Sequence, residues 1–323
     1  MYRYIINRIL LVIPTLFGAA TLVFILMRLI PGDICLVRLG SGGTSFTTEA
    51  LNACHAEIGI DRPWIVQYLD FLWGLVRLDP GISMWSGKPV VVEIATRFPI
   101  SLEVALVATV LAVVIAIPLG TISALKQNSW IDLAVRSFSI AGLATPSFWL
   151  GIVSILIVLD LTQALTGIPW MPPIDYVPLW QDPIRNLSIV MLPALTIGYR
   201  YSAVSMRMTR SAMLEVLRED YIRTARAKGL VRRLIINRHA LKNAMLPVVT
   251  VIGIEFAFLI GGLVVTEQVF NLNGIGRLMV LSVSNQDYTL TQALVMLVVT
   301  IAVLSNLVVD LLYAWLDPRI SLA

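Results

Sequence analysis

The stretch ILLVIPTLFGAATLVFILMRLI, residues 9–30, decides the fold class. A chain needs roughly 20 mostly apolar residues to cross the hydrocarbon core of a bilayer as a helix, and this stretch, opened by Arg8, supplies them. It is too long for the apolar core of a secretory signal. Its end, Arg28-Leu29-Ile30-Pro31-Gly32-Asp33, is not the small-residue site at which such a signal is cleaved. It reads as a retained first span. The same texture recurs at 102–125, 133–161, 187–206, 245–265 and 291–316, giving about six spans with few charges in each. Composition agrees. Of 323 residues, 58% are apolar and 14% charged, with a mean hydropathy of +0.84, where a soluble domain has about 45–50% and about 25%. A disordered chain, a nucleic-acid-binding domain and an ordinary water-soluble enzyme are excluded. The expected fold is an all-α polytopic membrane protein.

Lys and Arg orient the spans. The connection 207–242 holds ten of the 24 basic residues and the short one at 126–136 holds two, with Arg3 and Arg8 before the first span and Arg319 after the last. The alternate connections hold only Arg185 and Arg277. The first connection has five basic residues but is about 70 residues long, beyond the reach of the positive-inside rule. Both termini are therefore expected in the cytoplasm.

The outward segment 31–99 is polar, with helix signals at 47–58 and 64–76 and a turn at Asp79-Pro80-Gly81. It reads either as a cap packed on the membrane part or as a docking face for an extracytoplasmic partner. Cys35 and Cys54 both fall in it. The expectation is two unpaired small residues, since a sequence does not supply the Cα separation a disulfide needs.

In 207–242, Met213, Leu214, Leu217, Tyr221, Ala225 and Ala227 fall near one side of a helix, with Arg218, Arg223 and Arg226 on another. Gly229 breaks it, as glycine does at a helix C-terminus, and a second helix is expected over 234–246, ending at Pro247. Two short helices meeting at a glycine suit either a knob for a cytosolic partner or a basic segment that holds topology and binds anionic lipid.

No catalytic constellation is present. The Gly-Lys pair at Gly87-Lys88 is followed by Pro89 and cannot close a phosphate loop. His55 and His239 are on opposite sides of the membrane, and neither a nucleophile elbow nor a metal-binding pair exists. Glu255 lies mid-span and is either a wall residue of a polar pathway or a structural contact, with Arg200 as candidate partner. Asp310 is expected to make an end-of-helix contact near Trp315 and Arg319. Pro14, Pro118, Pro146, Pro193 and Pro247, with Gly261-Gly262, interrupt or flank the spans, as in a protein that bends at defined points.

One set of residues runs through nearly the whole chain: Arg8-Ile9-Leu10, Arg28 to Asp33, Gly59-Ile60-Asp61-Arg62-Pro63, Ala144-Thr145-Pro146-Ser147-Phe148-Trp149, Tyr221 to Gly229, Arg238 to Asn243, Glu267-Gln268-Val269-Phe270, Gly274-Ile275-Gly276, Asp287-Tyr288 and Leu316-Asp317-Pro318-Arg319. In this order and spacing the chain resembles the permease subunits of bacterial ATP-binding-cassette (ABC) importers, in the dipeptide/oligopeptide/nickel branch. Such permeases carry a Glu-Ala-Ala-x-x-x-Gly motif. Arg223-Thr224-Ala225 stands where Glu-Ala-Ala would, Gly229 matches the glycine and Leu246-Pro247 the trailing Leu-Pro.

The resemblance implies a type I importer permease fold in the bacterial inner membrane, divided into 1–30, an extracytoplasmic insert 31–100, and a permease core 101–323 with its coupling loop at 207–243. It implies coupling to an ATPase through Tyr221, Arg223, Thr224, Ala225, Lys228, Gly229 and Leu230. The candidate pathway residues are Glu255, Gly261 and Gly262, and the resemblance places Glu267, Phe270, Gly274, Gly276 and Asp287 on a gate facing a binding protein. The implied partners are a second homologous permease, cytoplasmic ABC ATPase subunits, an extracytoplasmic solute-binding protein and membrane lipid, with no nucleic acid. No cofactor or metal belongs to this chain, since ATP and Mg are bound by the partner ATPases. The expected cargo is short peptides, with glutathione, nickel or another small solute as alternatives. An ion-coupled secondary carrier is the rival of another class, but the inverted repeats it would want are not found. A membrane receptor with an outward sensory cap is a third.

Overall fold

A computed structural model of the chain describes residues 2–29, 32–40, 47–173 and 175–316. Among them there is no strand, only one isolated bridge between Ile82 and Pro89, and six helices are long and apolar enough to cross a membrane.

The first span is α1 (Tyr2–Leu29), which contains Pro14. An outward cap of three helices comes next: α2 (Ile34–Gly40), α3 (Thr48–Ile58) and α4 (Trp64–Val76). The expected starts hold because local chemistry makes them. The Thr47 hydroxyl accepts the Ala50 N–H at 3.3 Å, and Gly59 ends α3 at φ +76°. The expectation of unpaired cysteines is overturned. Cys35 and Cys54 form a disulfide with their Cα atoms 5.9 Å apart. The two helices bury Ile34, Cys35 and Cys54 in one cluster, a proximity made by packing that a spacing of 19 residues does not reveal.

α5 (Val90–Leu125) starts before the expected boundary at residue 100, so the insert flows into the core through one continuous helix. The expected span 133–161 is two helices, α6 (Trp130–Ala144) and α7 (Ser147–Thr166), and only α7 is a candidate span. The break is local. Proline disfavours helical backbone in the residue before it, and Thr145 accordingly turns extended at ψ 125°. α8 (Pro183–Val216) is capped by Asp182, whose carboxylate accepts the Arg185 N–H at 3.0 Å, with Pro183 in the first turn. It runs well beyond the expected 187–206.

Next come α9 (Asp220–Ala227), α10 (Arg232–Leu234), a π-helical turn (Ile235–Ala240) and α11 (Leu241–Gly262). The expected helix ending at Pro247 is therefore also corrected. The backbone re-enters through the π turn and continues past Pro247, which forfeits one backbone bond without ending the helix. α12 (Val264–Val269), α13 (Ile275–Ser284) and α14 (Tyr288–Leu316) complete the chain.

The core forms where α5, α8 and α11 meet, around Val104, Ala105, Ala108, Val190, Ala194 and Leu259. Small residues let α5 and α8 approach closely, as is usual for helices in lipid. A β-carbon on Gly198 would sit 2.9 Å from the Ala108 carbonyl, and one on Gly120 would sit 2.7 Å from the Met206 carbonyl. On the outer flank, α1 packs against α14 through Ala20, Val23 and Met296. Asp310 pairs across these two helices with Arg8 at 3.0 Å. The expected surroundings of Asp310, Arg319 and the Trp315 side chain, lie outside the described residues.

Candidate coupling, pathway and gate sites

At the inward end, α9 is eight residues long, too short to hold a helix in water unaided. It is held by Ile222 and Ala225, buried in a cluster with Ala124 of α5, Ala212 and Met213 of α8, and Ile235, Ala240 and Ala244 beyond it. Its end is closed by the Leu230 N–H on the Ala225 carbonyl (3.3 Å) and by Gly229 at φ +76°, a conformation that side chains strain. Tyr221 is tied to the returning chain, accepting from Asn243 Nδ2 at 2.7 Å and donating to the His239 carbonyl at 3.4 Å. Arg223, Thr224, Arg226, Lys228, Gly229 and Leu230 are exposed. Of the residues expected to couple, Ala225 is thus buried and the others lie on the outer face. Ala227, expected on the packed side, is exposed, and Ile222 is the anchor that helical periodicity did not single out.

Behind this element lies a polar knot. Asp132, 1% exposed, receives Arg210 through Nε at 2.8 Å and Nη2 at 2.9 Å, the Ser123 hydroxyl at 2.5 Å and the Asn128 N–H at 3.0 Å. It joins the inward ends of α5, α6 and α8. The Arg210 guanidinium holds the Asp132 carboxyl well below the usual carboxylate range, against the opposing effect of burial. In the sequence Arg210 reads only as one charge among ten, and the Ser129-x-x-Asp132 capping pattern is the one local signal of the knot.

Within the membrane, Glu255 of α11 accepts from the Ser205 hydroxyl at 2.8 Å, and its other oxygen is buried without a partner among the described residues. No ion pair joins it to Arg200 among them. Arg200 and Gly262 instead line a small cavity of about 30 Å³ with Tyr201 and Thr266. Gly261 faces α14, where a β-carbon would lie 3.3 Å from Val298 Cγ1.

At the outward end, Glu267 is 1% exposed. Its Oε1 accepts the Ser101 hydroxyl at 2.7 Å and its Oε2 the Arg277 N–H at 2.8 Å, while Ser101 accepts the Ile275 N–H at 2.8 Å. A carboxylate thus sits at the N-terminus of α13, where the helix dipole favours it. Burial pushes the Glu267 carboxyl above its ordinary value, and these hydrogen bonds oppose the shift. Gly274 is required because a β-carbon would overlap Glu267 Oε1 and the Ser101 hydroxyl. Gly276 is required because one would lie 2.7 Å from the Val264 nitrogen. Phe270 packs into the α5–α8–α11 core and over Gly151. Asp287, 1% exposed, accepts the Ser83 hydroxyl at 2.5 Å, the Met84 and Trp85 N–H groups at 3.2 Å and the Leu290 N–H at 3.0 Å. Glu267, Gly274, Gly276 and Asp287 present no surface to a partner. They shape the loop and fasten the cap to the start of α14. Ser101 and Ser83, their partners, carry no signal in the sequence.

Comparison with known proteins adds two family matches. Residues 116–322 match "Binding-protein-dependent transport system inner membrane component", and residues 1–105 match the N-terminal segment of the same kind of membrane component. The chain is 40% identical to the dipeptide transport system permease protein DppB of Escherichia coli K12, over 99% of both chains. It is 37% identical to a putative peptide transport system permease protein of Brucella suis biovar 1, again over 99% of both. It is 38% identical to the glutathione transport system permease protein GsiC of Escherichia coli O6:H1, with the same coverage.

Proposed function

The chain belongs to the family of inner-membrane components of binding-protein-dependent transport systems, and from that premise we propose that it forms half of the translocation pathway of an ATP-driven importer of short peptides. It is a multi-pass protein of the bacterial inner membrane and a permease subunit. A second homologous permease completes the pathway, separate ATPase subunits bind and hydrolyse ATP with Mg, and a solute-binding protein delivers cargo at the outward end. The permease alternates between outward and inward openings and does no covalent chemistry itself.

The observation that carries the reading is α9. A helix of eight residues, anchored through Ile222 and Ala225 to the ends of α5 and α8 and stopped by Gly229, presents Arg223, Thr224, Lys228 and Leu230 outward. A load on that face is passed to the membrane helices through a packed cluster, which has little compressibility. ATPase closure is thereby converted into helix tilting. Glu255, with one oxygen unpartnered, is assigned to the pathway as acceptor for a cargo ammonium group, with Gly261 and Gly262 at the end of the same helix. Peptide cargo rests on the peptide permeases among the relatives. The glutathione permease at 38% identity favours a second reading, a γ-linked peptide.

Uptake by the complete transporter in vesicles tests this. ATP inside the compartment of the ATPases, with binding protein outside, is expected to drive accumulation of a labelled dipeptide. Uptake that needs only a proton gradient and no ATP would sink the importer reading, and accumulation of glutathione alone would decide for the second. Gly229→Val, which forces a β-branched residue to φ +76°, is expected to abolish coupled uptake; unchanged uptake and ATPase association would refute the role given to α9.

A further inference from the structure

A cleft of about 580 Å³ opens outward between the cap, α1 and α14, away from the coupling and pathway residues and bordered on one side by Ser83 and Met84, the partners of Asp287. Two helices line its floor with paired side chains one turn apart, Phe24 and Arg28 from α1, and Tyr288 and Gln292 from α14. The Arg28 guanidinium is held in place. Its Nη2 donates to Gln67 Oε1, and Gln67 is itself fixed by donating to the carbonyls of Ile60 (2.8 Å) and Arg62 (2.7 Å). The guanidinium also sits 4.8 Å from the Phe24 ring centroid and 5.7 Å from that of Tyr288.

What distinguishes Arg28 is what it lacks. At the rim of the cleft Arg62 meets Asp70 at 2.8 Å and Arg38 meets Glu57 at 3.8 Å. Arg28 has no carboxylate partner among the described residues, and its buried Nε has no hydrogen-bond partner among them. The same is true of Gln292 Nε2, on a side chain only 5% exposed. Buried donors without acceptors are unfavourable and rare. Here the two residues that carry them, Arg28 and Gln292, line one cleft of the size that holds small ligands, with Phe24, Phe71 and Met84 supplying apolar wall.

We propose that this cleft is a binding site for the carboxylate of a small organic anion with an apolar remainder, and that the ligand is the C-terminal end of a short peptide. The carboxylate accepts from Arg28 and Gln292, and the adjoining side chain lies against Phe24 and Phe71. Only the naming of a peptide as ligand rests on the peptide-importer reading; the carboxylate chemistry does not.

The complete transporter in lipid nanodiscs, without its binding protein, is titrated with Ala-Phe, with Ala-Phe amide and with inorganic phosphate, and binding is read by saturation transfer to the phenylalanine ring protons of the peptides, with phosphate as competitor. Ala-Phe is expected to bind, and its amide at least about tenfold more weakly, the scale of one charge-assisted hydrogen bond. Arg28→Gln and Gln292→Leu are expected to weaken Ala-Phe by a similar factor. Where Arg28→Gln does not assemble, Arg28→Lys, which keeps the charge and removes the Nε donor, carries the test. Equal binding of acid and amide, binding indifferent to both variants, or displacement by phosphate at equal concentration would overturn the proposal. ATP-driven uptake by the wild type separates the two readings. Peptide uptake without variant-sensitive binding refutes the cleft alone; variant-sensitive binding without peptide uptake refutes the cargo alone.

Discussion

Glu267 and Gly274 form a single device, because the glycine leaves room for the carboxylate that caps α13. Gly274 has φ −101°, so its requirement is space and owes nothing to backbone freedom. Gly274→Ala is expected to cost about 1–3 kcal/mol through overpacking, seen as a lower melting temperature in detergent; an unchanged melt would refute the close approach. The pH dependence comes from burial. A carboxyl raised above its ordinary 4.5 in the fold contributes stability that is complete below that value and is lost as pH rises through the folded value. The wild type is therefore expected to lose thermal stability as pH rises from 4 by an increment that Glu267→Gln lacks. Parallel melting curves for the two proteins across that range would count against the assignment. At this end the sequence marks the segment but not its burial. Hydropathy marks Glu267 as polar and hence outward, whereas Ser101, 166 positions away, supplies the partner that lets it be buried.

At the scale of elements, the legible features are those encoded over a few adjacent residues: the Thr47 cap, the Pro63 start of α4 and the glycine stop after α9. Long apolar runs are legible as membrane spans, but a composition count is blind to a backbone break, and so α6 and α7 merge into one expected span across Thr145-Pro146. The π turn before α11 has no residue signature; its Ile235 and Ala240 pack into the Ile222 cluster. Two expected outcomes belong here. Ile222→Ala removes the main anchor of α9 and is expected to cost about 2–5 kcal/mol locally, leaving ATPase activity that no longer responds to binding protein. A fully responsive ATPase in that variant would show that α9 needs no such anchor. Asp132→Asn breaks a buried pair and is expected to cost about 3–5 kcal/mol. Because Arg210 depresses the Asp132 carboxyl, its contribution is present above pH 3.8 and is lost only as pH falls through the lower folded value. Acidification to pH 4 should therefore leave the knot intact, and loosening of α6 at pH 5, read by hydrogen exchange, would contradict this.

For the molecule as a whole, the basic connection and the cap mark two opposite ends. The connection with ten of the 24 basic residues lies at the end where Asp132, Arg210 and α9 meet, and the cap with its disulfide lies at the other. The two ends are joined differently. The inward element is part of the core, sharing one cluster with α5 and α8, whereas the cap rests on α1 through Phe71, Leu72 and Leu75 of α4 and is pinned at α14 by the Tyr288 hydroxyl on the Gly32 carbonyl at 2.7 Å and by Asp287 on residues 83–85; the Cys35–Cys54 link and the Asp33–His55 contact at 2.7 Å tie it internally. Such pins can be released without unfolding the membrane core. Asp287→Ala removes four acceptor contacts at once and leaves the buried Ser83 O–H without an acceptor, while its oxygen still accepts the Ser86 N–H; Cys35→Ser with Cys54→Ser frees α2 from α3. Both changes are expected to leave the assembled transporter and its basal ATPase intact. They should reduce stimulation by the binding protein, more strongly for Asp287→Ala, because the pin reaches α14 and the disulfide acts only within the cap. Equal loss of basal and stimulated activity in Asp287→Ala would mean that the pin holds the core itself. Full stimulation in both would mean that the cap takes no part in receiving the binding protein.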